Sequence, residues 1–289
     1  MMHELLHVAE HAVHDSIPML PFLYLAYLLI EYIERFHGSR IEKALEGGGH
    51  WGFVPGAVLG CVPQCGFSAM AANFYGSRVI SLGTLLAVFL ATSDEAIPML
   101  LAVPDRWPEL LLLILIKLGI ALAVGLCLDL VVTHLLPARF RGGFTGTAGE
   151  VDCHEEHEEE ESIWRAALSH TLQIFFYIFL FSAAIGLLVS LVGEEQFAAF
   201  LQQTGPLQPV LAALVGLIPG CFSSVLLTQL YLSGALRFSS ALAGLCSATG
   251  VGLVTLLRTS RSLRQTLLVL GMLWGIGSAS GLLLAMLGI

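Results

Sequence analysis

Four consecutive side chains, Thr92-Ser93-Asp94-Glu95, and a single lysine, Lys117, interrupt stretches that are otherwise apolar. An ionisable group inside a membrane is costly enough to mark an ion or proton pathway by default. The turn between these stretches is centred near Arg106, with Asp94 12 residues before it and Lys117 11 after it. An antiparallel helix pair therefore places the two at similar depth. Two carboxylates facing one ammonium leave one negative charge over, which suits a metal cation or a proton, so Asp94 and Glu95 are candidate metal ligands. The plainer alternative is a buried ion pair that only neutralises itself.

A second set of candidates occurs twice. Gly60-Cys61-Val62-Pro63-Gln64-Cys65-Gly66-Phe67-Ser68 is matched by Gly216-Leu217-Ile218-Pro219-Gly220-Cys221-Phe222-Ser223-Ser224. A gapless shift of 156 positions superimposes Gly60, Pro63, Cys65, Ser68, Tyr75 and Ser77 on identical residues, and makes 12 of the 48 positions from Val54 to Leu101 identical. Proline inside a helix removes a backbone hydrogen bond and clashes with the preceding turn, and glycine permits a reversal there. Non-helical backbone at membrane depth is tolerated only where protein buries it or a cavity adjoins it. A proline kink and a re-entrant hairpin both fit this pattern.

The side chains beside the two interruptions are candidate substrate contacts: Gln64, Cys65, Ser68 and Asn73 from the first copy, Cys221, Ser224, Thr228 and Gln229 from the second. Thiolates such as the matched Cys65 and Cys221 select soft metals, whereas carboxylate and carbonyl oxygens suit harder ions such as manganese. Cysteines in membrane helices also serve as small packing residues, the reading given to Cys127 and Cys246. At the positions matching Asp94, Glu95 and Lys117 the second copy has Gly250, Val251 and Leu273, so the charges belong to one copy only.

Two peripheral features attract metals. His3, His7, His11 and His14 fall within about 80° of one another on a helical wheel, a stripe suited to paired imidazole ligation. The segment Asp152-Cys153-His154-Glu155-Glu156-His157 joins thiolate, imidazole and carboxylate, making Cys153, His154 and His157 candidate ligands. A solvated acidic linker accounts for it equally well.

The elements that must position these residues follow from composition. Of 289 residues, 56% are hydrophobic and 12% charged, and the mean hydropathy is +0.82. Soluble domains carry about 25% charged residues, so an ordinary soluble protein is excluded. Apolar blocks near 17–33, 51–76, 79–103, 109–136, 167–192, 208–232, 235–257 and 266–288 are all long enough to span a bilayer. The fold class expected is an all-α polytopic membrane protein. With 13 Lys and Arg against 22 Asp and Glu, nucleic acid is not an expected partner. The N-terminus lacks a signal-peptide pattern, so the first span is read as the insertion signal. The six cysteines are spaced irregularly and do not form a secreted disulfide framework.

Charge distribution favours hairpins over kinks. If every block spans, the basic residues divide 7 to 5 between the faces. If blocks two and six enter and leave on one side, Arg35, Arg40, Lys43, Arg78, Arg139, Arg141, Arg165, Arg258, Arg261 and Arg264 share a face, with Arg106 and Arg237 opposite. Such asymmetry fits the positive-inside rule and predicts both termini outside with the acidic linker in the cytoplasm. It also makes the halves inverted repeats: 1–136 with a His-rich start at 1–16, a linker at 137–163, and 164–289. Repeats of this kind typify secondary transporters, whose substrate site forms between broken helices.

At these residues the chain resembles a known family, the ten-segment heavy-metal exporters of bacteria, also described as arsenic-efflux or manganese transporters. The resemblance covers nearly the whole length and rests on Ile17 to Glu34, on Val62 to Ser68, on Ala91-Thr92-Ser93-Asp94-Glu95, on the Cys/His/Glu-rich linker and on Leu227-Thr228-Gln229-Leu230-Tyr231. The more distant arsenical permeases carry a similar Pro-Leu-Cys motif, where this chain has Gln64. It lacks their closely spaced second cysteine. The resemblance implies a transporter in the bacterial inner membrane. The sequence supports a secondary exporter of a metal or metalloid ion, coupled to protons through Asp94 and Glu95, with Lys117 as the balancing charge. It needs no cofactor, carries no nucleotide-binding motif, and is compatible with a homodimer. An inorganic anion transporter of the same architecture is the second reading. An intramembrane thiol oxidoreductase using Cys61 and Cys65 is the third.

Overall fold

The computed structural model describes residues 21, 24, 25, 28, 32, 51–63, 65–93, 95–131, 164, 165, 167–169, 171, 172, 176, 205–220, 222–260 and 263–288. The described positions between 21 and 32 and between 164 and 176 are helical. From residue 51 onward the described helices are α1 (Phe53–Gly60), α2 (Cys65–Gly76), α3 (Leu82–Ala91), α4 (Ala96–Leu101), α5 (Trp107–Leu126), α6 (Gln208–Gly216), α7 (Phe222–Leu232), α8 (Phe238–Ser247), α9 (Gly252–Thr259) and α10 (Leu263–Met286). A π-helical turn, Cys127–Val131, extends α5. Four helical runs, 82–101, 104–130, 238–259 and 263–286, are long and apolar enough to cross a membrane.

A helix that is apolar all round must be surrounded by protein or lipid, and both cases occur. Every residue of α3 and α8 is buried apart from the half-buried Phe238. By contrast α5 and α10 turn Leu111, Leu115, Leu267 and Leu283 outward, as lipid-facing helices do.

The sequence led us to expect breaks in the second and sixth apolar blocks, and these lie between α1 and α2 and between α6 and α7. Two further breaks, between α3 and α4 and between α8 and α9, were not anticipated. Their causes are local. Thr92 leaves the helix with ψ 131°, and Pro98 has no N–H to donate to the carbonyl four residues earlier. In the second copy Ala248 turns out with ψ 118° and Gly250 takes φ +54°, a left-handed backbone that glycine tolerates.

The shift of 156 residues seen in the sequence carries over to the elements. Leu82–Ala91 moved by 156 is Phe238–Ser247, residue for residue, and α1, α2, α4 and α5 map onto α6, α7, α9 and α10 with ends that differ by a few residues. Packing follows the same rule, since α3 is held between α1 and α5, and α8 between α6 and α10.

Close approaches fix the helix directions. Gly56 faces Thr84 and Val88, and Gly60 faces Val88 and Ala91, so α1 and α3 run parallel. The start of α1 meets the end of α5, because Gly125 abuts Phe53. The start of α3 meets it too, through Ser81 and Asp129. Since α1 and α3 begin at the same end, α2 must bring the chain back there, which makes α1 and α2 a hairpin. Across the halves α2 runs parallel to α9, with Ser68 beside Gly252 and Gly76 against Thr259. Its counterpart α7 packs reciprocally on α4. Arg78 and Arg258 thus flank one end of the helix pair. Arg106 and Arg237 line one cavity elsewhere.

Candidate functional site

The breaks of the first half and the helix starts of the second half meet. Glu95 follows the α3–α4 break and is 2% exposed. Its carboxylate accepts a hydrogen bond from the Ser224 hydroxyl of α7 at 2.5 Å. Ser224 lies at the first turn of α7 because Pro219 and Gly220, the latter at φ +115°, end α6 before it. A buried carboxylate needs such a partner, since an uncompensated one costs several kcal/mol.

Lys117 lies in mid-α5 and is 1% exposed. Its ammonium donates to the Thr92 carbonyl at the end of α3 and to the Leu245 carbonyl in the last turn of α8 at 2.6 Å. The last carbonyls of a helix lack intrahelical donors, and a helix C-terminus favours a cation. One lysine therefore satisfies the broken ends of a helix from each half. Leu273, its counterpart in α10, instead offers its backbone carbonyl to the Ser247 hydroxyl at 3.2 Å.

Around this crossing the buried hydroxyls are numerous. Thr92, Ser93, Ser68, Ser223, Ser224, Thr228 and Thr249 are all buried. The Thr92 hydroxyl donates to the Val88 carbonyl at 2.8 Å, and Thr228 donates to the Ser224 carbonyl at 2.7 Å. The breaks of the second half also touch, the Gly220 amide donating to the Gly250 carbonyl at 3.1 Å.

Two sequence candidates lie further along their helices. Asn73 is eight residues into α2 and accepts a hydrogen bond from the Thr259 hydroxyl of α9 at 2.8 Å. Gln229, its counterpart, has a buried side-chain oxygen without a partner among the described residues. The position matching Thr259 in the first half is Val103, whose side chain can donate nothing. Cys61 donates its thiol to the Ala57 carbonyl at 3.4 Å, and Cys246 is buried in the core, as a packing residue would be.

Several candidates fall outside the described residues: Gln64, Asp94, Cys221, Cys153, His154, His157 and the stripe His3, His7, His11 and His14, together with the side chain of Cys65. Among the described residues no three His, Cys, Asp or Glu side chains cluster as a metal site.

Three residues that sequence reasoning did not single out hold the halves and ends together. Glu109 forms an ion pair with Arg106 at 2.8 Å and accepts a hydrogen bond from the Tyr231 hydroxyl, joining α5 to α7. Arg106 also lies over the Tyr231 ring, 5.6 Å from its centre. Asp129 accepts from the Ser81 hydroxyl at 2.7 Å, while Ser81 accepts from the Thr84 amide at 3.0 Å and so caps α3. A carboxylate at a helix N-terminus complements its dipole. The sequence signal was an aspartate in an apolar run, the same signal that drew attention to Asp94.

No curated protein and no solved structure matches the chain. One family model matches residues 17–193 and 155–262, which together take in most of the chain. With its long apolar helices and the matched family, the molecule is a multi-pass membrane protein, and the chain belongs to the family described as "Putative, 10TM heavy-metal exporter".

Proposed function

We infer that the chain is a secondary exporter of a metal or metalloid ion, working by alternating access at the crossing of its two halves. The observation that carries this reading is the buried Glu95 of the first half, hydrogen-bonded to Ser224 of the second. A carboxylate hydrogen-bonded from one half to the other can exchange that contact for a cation or a proton when the halves move. Asp94 is assigned to the same ion site. Lys117, bonded to both broken helices, supplies a fixed positive charge that weakens cation binding enough for release. Ser68, Ser93, Thr92, Thr228 and Gln229 supply oxygen donors around the path, with Gln64, Asn73, Cys65 and Cys221 at the two hairpins.

The halves are read as inverted repeats. What supports this is that α9 runs parallel to α2, the returning arm of the first hairpin, and so against α3. The arginines add support, because Arg106 and Arg237 share one cavity, whereas an arrangement with every block spanning puts them on opposite faces. Under the positive-inside rule the face with Arg78 and Arg258 is cytoplasmic. The linker at 137–163 then lies on the loading side of a bacterial inner-membrane exporter, where Cys153, His154 and His157 can gather metal.

Metal content measured by mass spectrometry tests this reading. Cells expressing wild type or Asp94→Asn are challenged separately with manganese, zinc, cadmium, cobalt and arsenite. Lower content of one element in wild type, restored by the variant, is expected. Equal content for all five, with both proteins in the membrane, moves the assignment to an inorganic anion.

A further inference from the structure

The two helix starts related by the repeat are finished differently. At the start of α3, Ser81 caps the helix, Asp129 accepts from Ser81 at 2.7 Å, and Gly83 leaves room for the Asp129 carboxylate, with which any Cβ at 83 would collide. Moving each by 156 gives Arg237, Ala285 and Ser239 at the start of α8. Cap, carboxylate and glycine have become guanidinium, methyl and hydroxyl.

Where the carboxylate is missing there is a cavity of about 480 Å³. Arg237, Ser239 and Ala285 line it, joined by Arg106, Tyr231 and Gly288. Ser239 is buried, and among the described residues its hydroxyl has no hydrogen-bond partner, which is costly unless something else fills the site. Arg237 caps α8 without any side-chain hydrogen bond to it, and among the described residues no backbone acceptor meets the Phe238 and Ser239 amides, while the Ser240 amide donates to the Arg237 carbonyl. The charge balance is positive, because Glu109 is committed to Arg106 and Tyr231 and Arg237 makes no ion pair among the described residues.

We propose that this cavity binds an oxyanion of the phosphate class, held by Arg237, Arg106, the Ser239 hydroxyl and the first amides of α8, in the place that the Asp129 carboxylate takes in the first half. Guanidinium groups match phosphate geometry, and helix N-termini accept anions. The site is separate from the Glu95 crossing and does not depend on the transported ion. It completes α8, whose other end is already held by Lys117.

The test uses the full chain in maltoside micelles and phosphate-free buffer, with melting followed by tryptophan fluorescence. Inorganic phosphate is titrated at constant ionic strength, and phosphatidylglycerol is added in a separate series. Wild type should show a saturable rise of about 5 °C at a hundred times the dissociation constant. Ala285→Asp, which carries its own carboxylate, and Arg237→Gln should not respond. Saturation by inorganic phosphate identifies a free ion as the ligand, and a response to the lipid alone identifies a headgroup. No saturable response to either overturns the proposal, as does a response that the variants share with wild type. Arg237 is exposed, so Arg237→Gln should fold and decides the matter even if Ala285→Asp does not.

Discussion

The two halves have one architecture and two chemistries. In the first, the break after α3 carries Glu95 and faces Lys117. In the second, the same positions are Val251 and Leu273, and the break is closed by backbone and hydroxyl contacts such as Ser247 to the Leu273 carbonyl. The helix directions and breaks therefore do not need the charges, because the second half makes the same elements without them. A charge retained in one copy, at the cost of burying it, is explained by what it does rather than by what it supports.

Breaking the comparison at Lys117 should have the largest effect. Lys117→Leu copies the second half, yet it leaves the Thr92 and Leu245 carbonyls without their ammonium donor. Loss of hydrogen bonds from a buried charge predicts about 3 kcal/mol of destabilisation, together with loss of transport. Chemical unfolding in detergent checks the first effect and a metal-content assay the second.

Glycine substitutions should act alike in both halves. A Cβ on Gly60 would lie 2.5 Å from the Val88 carbonyl oxygen, and one on Gly216 would collide with the Gly244 carbonyl. Both meet backbone that cannot yield easily, so Gly60→Ala and Gly216→Ala are each expected to cost about 1–3 kcal/mol. A difference larger than that range between the two melting curves would show that the halves do not share their packing.

Asp129→Ala removes a contact that only the first half has. The Ser81 hydroxyl loses its acceptor and α3 loses the carboxylate at its start. About 1–2 kcal/mol is expected, measurable as a lower melting temperature with transport retained. Ser224→Ala should have the smallest effect, about 1 kcal/mol, with weaker transport, because Glu95 loses a donor.

The sequence made the repeat legible because Gly, Pro, Cys, Ser and Tyr recur in one register, and the structure keeps that register element by element. The hairpin breaks were legible because proline and glycine break helices by known sterics. Counting from Arg106 put Lys117 level with Asp94, which lies outside the described residues; Lys117 is found bonded to the carbonyl of Thr92, two residues before it. The breaks after α3 and α8 were harder to see. Ala248-Thr249 holds no proline, and Gly250 gave the signal only once its φ of +54° was known. Contacts between distant residues were not legible at all. Ser81 and Asp129 are 48 residues apart, and Tyr231 and Glu109 are 122 apart, so only the fold brings them together. The same holds for Glu95 and Ser224, both candidates on residue type, whose pairing no spacing rule gives.

If the Glu95 carboxylate carries the ion, metal flux into proteoliposomes must depend on it, which purified wild type and Glu95→Gln compare. The amide keeps the size of the side chain and can still accept from Ser224, so folding should change little, by under about 1 kcal/mol. Flux of the transported metal should fall at least tenfold in Glu95→Gln while the melting temperature stays close to that of wild type. Wild-type flux through a well-folded Glu95→Gln would contradict that role for Glu95.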